Sequence, residues 1–139
     1  MTIVLTIHSL IRWIIMLVAL ALIVRLSIGL VKKQPFDKIA AGLTSAFAGL
    51  MDTQMLLGGL FFLVSGFGGM GFPTYRWEHA IVMLLAIVTA HLPRVWKKAE
   101  DGVRTRHTLL AVVISLLLVF LGIMPIGGWA RWWHITGLF

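Results

Sequence analysis

Five histidines carry the chemistry that this chain can offer. Four of them, His8, His79, His91 and His107, fall in or at the ends of long apolar segments. In hydrocarbon an ionisable side chain is costly unless it is paired, lines a cavity or binds something. An imidazole inside a dry helical bundle is suited to ligating a metal or a haem iron. The fifth, His134, sits beside Trp132 and Trp133 and reads as an interfacial residue.

Other polar residues accompany them. Arg12 follows His8 by four residues and shares its helix face, and Arg76 precedes His79 by three. A cation one turn from an axial ligand is well placed for a haem propionate. The alternative for Arg12 is pairing with an acid, and for Arg76 it is reaching out to the headgroups. Asp52 stands near the middle of an apolar segment, where an ionised carboxylate costs about 2.5–3.5 kcal/mol on insertion scales. It is protonated, or paired with Arg12, or holding the free ring N–H of a ligand histidine. Gln54, two residues on, points away from Asp52. Glu78 lies about 100° around the helix from His79 and faces the outer interface.

These residues must be positioned by membrane-length helices. The chain has 139 residues, 60% hydrophobic and 12% charged, with a mean hydropathy of +0.99. Crossing a hydrocarbon core takes about 20 helical residues. Segments 2–31, 39–65, 75–96 and 107–124 meet that length. The expected fold is an all-α membrane protein: one domain over 1–139, a four-transmembrane-helix bundle. The first segment has neither a basic n-region nor a clear cleavage site, so it is expected to remain in the mature protein. Lys32, Lys33 and Lys38 lie between the first and second segments. Arg94, Lys97, Lys98, Arg104 and Arg106 lie between the third and fourth. The positive-inside rule then puts both basic loops inside and both termini outside. Asp37 is the expected N-cap of the second helix and Thr74 of the third. Pro93 is expected to kink or loosen the end of the third. Residues 66–73 read as a flexible outer loop, and 125–139 as an aromatic tail on the outer leaflet. Small residues crowd the second helix, suiting close packing or a flat ligand.

This topology sets depths. His8 and His79 both lie near the outer ends of their helices and form a candidate outer pair. His91, twelve residues after His79, is about 18 Å deeper, with His107 as its candidate inner partner. Twelve residues also turn the helix by about 120°, so His79 and His91 do not share one face. The alternative for His107 is a helix-start residue at the basic interface.

Composition also excludes. Without cysteine there are no disulfides, thiolate metal sites, cysteine-held iron–sulfur clusters or covalent c-type haem. No nucleophile–base pair or phosphate loop supports hydrolytic catalysis. The basic loops read as topology signals in contact with anionic lipid; no nucleic-acid motif accompanies them.

The strings His8-Ser9-Leu10-Ile11-Arg12-Trp13, Asp52-Thr53-Gln54-Met55-Leu56-Leu57-Gly58 and Glu78-His79-Ala80-Ile81-Val82-Met83 resemble a family of small bacterial four-helix membrane proteins of cytochrome b-like type. More widely, they resemble cytochrome b561-type di-haem proteins. The resemblance implies a multi-pass protein of the bacterial cytoplasmic (inner) membrane that binds haem b, one or two per chain. It further implies electron exchange with a quinone or another membrane partner. It carries the iron-ligand role onto His8, His79, His91 and, at the inner end, His107. Two other functions fit the residues. One is a haem-free proton- or ion-coupled transporter, with Asp52, Arg12, His8 and Gln54 lining a polar path; four helices would then call for a homo-oligomer. The other is a structural subunit packed against other membrane subunits of a larger complex.

Overall fold

The computed structural model describes residues 2–133. Four long helices, α1 (Thr2–Val31), α2 (Lys38–Ser65), α3 (Thr74–His91) and α4 (Asp101–Ile123), form an up-and-down bundle. A short helix, α5 (Gly128–Trp133), follows at the end that carries the start of α1 and the end of α4. With their short extensions, all four long helices are long and apolar enough to cross a bilayer. By length and hydropathy the chain is a multi-pass membrane protein. α1 and α3 each pack against α2 and α4, so α1 faces α3 across one diagonal of the bundle. The end holding the α1–α2 and α3–α4 connections is called the basic end here, and the other the terminal end.

Lipid tails are as apolar as leucine, so burial of apolar area does not drive these helices together; close packing and cross-helix hydrogen bonds do. The buried faces have that character. On α1, Ile15, Ala19, Leu22 and Leu26 recur at helical spacing. On α4 the buried face includes Thr105, Thr108, Ala111, Ser115 and Gly122. Ala86 and Ala90 of α3 are shielded just as fully. Ser115 donates to the Ala86 carbonyl at 2.7 Å, a direct α4-to-α3 tie. Large apolar side chains point out instead: Leu17 is 67% exposed and Leu56 74%.

The helix ends follow local chemistry. Asp37 caps α2 by accepting from the Ala40 amide at 2.9 Å, and Arg25 reaches its other oxygen at 2.6 Å. That amide first, and Arg25 second, hold the Asp37 carboxyl below its ordinary range. A lowered carboxyl value means this contribution is full above the unfolded value and fades as pH falls through the folded one. Pro93 loosens the end of α3 as expected: Leu92–Trp96 is a 3-10 helix with Pro93 in its first turn.

Four expectations change. Residues 66–70 are not a loose loop; Gly66–Met70 make one wide helical turn closed by the Gly71 amide on the Gly66 carbonyl at 3.1 Å. Gly69 leaves helical geometry there at φ +109°, a conformation suited to glycine. Thr74 is the first residue of α3 rather than its cap, and Pro73 before it offers no side-chain cap. α4 starts at Asp101, six residues before the expected start at 107. Asp101 in its first turn complements the helix dipole, so the polar stretch carries a helical turn. The aromatic tail does not simply lie on a surface. Trp132 is 4% exposed and packs edge-on against Trp13, with ring centroids 5.9 Å apart. His134 falls outside the described residues.

Close approach of α3 and α4 depends on Gly122. A Cβ there would lie 2.5 Å from Met83 Cε and 3.3 Å from Val82 Cγ1. Gly122→Val is expected to lower the thermal midpoint in detergent by several degrees, through overpacking of about 1–3 kcal/mol. Gly42→Ala, where a Cβ meets nothing within 4 Å, should leave it unchanged or raise it. Equal midpoints for Gly122→Val and wild type would contradict this packing.

Candidate functional site

Near the terminal end, His79 directs Nδ1 at the Gly122 carbonyl, 2.6 Å away. A carbonyl can only accept, so Nδ1 carries the proton and donates. Gly122 lies in the last turn of α4, where carbonyls lack intrahelical partners, and the residue three on, Pro125, has no N–H for a 3-10 bond to it. In the neutral ring Nε2 of His79 therefore carries a lone pair and no proton. His8 stands on α1, across the diagonal. Its ring lies against Gly58, where a Cβ would come within 3.0 Å of His8 Cε1. Its Nδ1 is buried without a hydrogen-bond partner among the described residues. Gln54 supports the same turn by donating to the His8 carbonyl at 2.9 Å. His79, Arg12 and Arg131 are all near enough for their charges to act on His8.

The two arginines expected beside these rings have structural tasks as well. Arg12 donates to the Trp132 carbonyl at 2.6 Å and lies 5.0 Å from the Trp132 ring centre, which ties α5 to α1. Arg76 is buried at 7% exposure, not extended to the headgroups. It donates to the Gly71 carbonyl at 2.6 Å, the Phe62 carbonyl at 3.0 Å and the Ser65 hydroxyl at 2.5 Å. It thus closes the last turn of α2, where a cation also meets the negative end of the helix dipole. Glu78 is exposed.

A second polar layer lies at mid-span. Asp52 Oδ1 and His91 Nε2 are 2.8 Å apart. Of the three states open to Asp52, the structure shows the histidine contact, and Arg12 is not its partner. Asp52 is about 21 Å along α2 from Lys38, so the pair sits near the bundle's middle. The His91 side chain is 24% exposed and that of Asp52 48%. His107 is engaged elsewhere: its Nδ1 donates to the Val103 carbonyl of its own helix at 2.8 Å, and its ring lies 5.0 Å from that of Trp96. The inner histidine pair expected from depth therefore has no shared hydrogen-bond partner; each ring is held by a different element.

Two cavities lie toward the basic end, of about 210 and 340 Å³. The smaller runs beside α2 and reaches Asp52. Neither is lined by His8 or His79. Among the described residues no three His, Asp or Glu side chains converge as a metal site. A neutral imidazole with Nδ1–H tied to a carbonyl, as His79 has, is the form a metal-ligating histidine takes. Sequence reasoning missed Gly122 as the carbonyl partner of His79. No residue type signalled it, because the partner is a backbone carbonyl.

No known protein family, curated protein or solved structure matches this chain. The cytochrome b-like resemblance is thus supported only as far as its four-helix, all-α architecture.

The mid-span contact is testable on its own. A double-mutant cycle with Asp52→Ala and His91→Ala, read as stability in detergent, should give a coupling of about 0.5–3 kcal/mol. Strictly additive effects would contradict the pairing.

Proposed function

We propose that this chain is a b-type haem protein that relays single electrons within the membrane, with His8 and His79 as the iron ligands. The observation that carries the reading is the His79 Nδ1–Gly122 hydrogen bond of 2.6 Å, which leaves Nε2 unprotonated and fixes the ring plane. When bound, haem would supply a one-electron couple. The chain's own residues supply the rest. Gly122 keeps His79 in one tautomer. Gly58 gives the His8 ring room. Arg12 and Arg131 place positive charge near His8, where it favours an electron arriving and can meet a carboxylate-bearing macrocycle edge. Trp13 and Trp132 pack around Arg12 and screen it from water. A quinol is the donor class most compatible with a bundle this apolar.

One observation favours a second reading. An acid–imidazole pair at mid-span, half exposed on its Asp52 side, is a proton-handling element by default. It supports either proton uptake coupled to electron transfer or haem-free proton-coupled transport.

An absorption spectrum of the detergent-purified protein, oxidised and then dithionite-reduced, separates these readings. The haem reading expects a Soret band that sharpens on reduction with resolved α and β bands. His79→Ala and His8→Ala should each lose that spectrum while still inserting, and Asp52→Asn should keep it. A colourless protein after haem supplementation, or full haem content in both histidine variants, overturns the assignment.

A further inference from the structure

We propose that the cavity between α2, α3 and α4 at the basic end is a binding site for one phosphate group, carried by an anionic lipid or by a small soluble phosphate ester. The inference is independent of haem binding.

Three cations line this one cavity: Arg94, Lys97 and Arg104. None of them forms an ion pair among the described residues. Arg104 is the most constrained. It is partly buried, with its guanidinium carbon 3.9 Å from the centre of the Phe36 ring. Stacking on a ring face fixes the plane of the fork while leaving its N–H edge free for an oxyanion. No side-chain hydrogen bond from it to a described residue competes for that edge.

A second observation points the same way. Thr108 also lines the cavity, is wholly buried, and its hydroxyl has no hydrogen-bond partner among the described residues. A buried hydroxyl without a partner costs about 1–3 kcal/mol. A phosphate oxygen accepting from it removes that cost. Cations with an unused planar donor edge and an unsatisfied hydroxyl are the recognition set for phosphate.

Asp52 lines the far part of the cavity and would repel an anion there. Along α2 it is about 16 Å from Ala41, another lining residue. Its carboxylate is also engaged by His91. Three cations against one carboxylate leave the cavity net positive. Between them α2 presents Ser45, Ala48 and Gly49, a smooth wall along which a glycerol moiety or the start of an acyl chain fits. Basic loops attract anionic lipid diffusely in any such protein. The cavity adds a single defined position to that field.

Native mass spectrometry of the full chain in detergent tests the site, with phosphatidylglycerol and phosphatidylcholine as probes. Wild type should retain one phosphatidylglycerol, with about tenfold or greater preference over phosphatidylcholine. Arg104→Gln and Arg94→Gln should each weaken retention about tenfold. Thr108→Val, which keeps shape and removes only the hydroxyl, should weaken it several-fold. The double variant Lys32→Gln/Lys38→Gln removes two charges, one more than either arginine variant, from residues that do not line the cavity, and should retain lipid like wild type. A competing arm adds glycerol phosphate at millimolar concentration: displacement assigns the site to soluble esters, and no displacement assigns it to lipid. Equal loss in the Lys32/Lys38 control and the cavity variants, or no preference between the two lipids, overturns the proposal. So does full retention in Arg104→Gln and Thr108→Val.

Discussion

Hydrocarbon offers no hydrogen bonds, so every polar side chain in this bundle must find its partner inside the protein. That constraint organises the molecule. Arg76 draws on two carbonyls and a hydroxyl around the last turn of α2. His79 takes a carbonyl from the end of α4. Arg12 takes one from α5. His91 takes a carboxylate from the middle of α2. Most of these partners are backbone oxygens at helix ends, where the helical ladder leaves acceptors over. Polar side chains thus act as staples where the helices stop, and the apolar middles are free to pack.

The same constraint marks what is left unsatisfied. Among the described residues, His8 Nδ1, Trp13 Nε1, Gln54 Oε1, His91 Nδ1 and the Thr108 hydroxyl are buried without partners. In a medium where each such group is costly, their retention singles out two places. One is the diagonal between α1 and α3 near the terminal end. The other is the cavity that runs from the basic end to Asp52. The bundle separates these two places along its axis.

Much of the fold was legible in the sequence because membrane helices are specified locally. Length, hydropathy and charged flanks fix four spans without reference to tertiary contacts, and α1 runs from Thr2 to Val31 as the apolar run suggests. Pairing was harder to read. A rise of about 1.5 Å per residue gives height but not azimuth, so Asp52 had several partners open to it at similar depth. Pro93 altered the heights as well. The 3-10 helix Leu92–Trp96 rises about 2 Å per residue, carrying the basic stretch away from His91 and leaving that ring at mid-span beside Asp52 rather than near His107. The partner of His79 was hidden for another reason: it is a backbone carbonyl, which has no residue-type signature.

The central claim is that His79 is held as the Nδ1–H tautomer with Nε2 available. Nitrogen-15 NMR of histidine-labelled protein in lipid bilayers, with His79→Gln to assign the resonance, tests it most directly. The account predicts that the signal lost in the variant has a protonated Nδ1 and an Nε2 without a proton, either bare or bound to iron. An Nε2-protonated or doubly protonated His79 would contradict it.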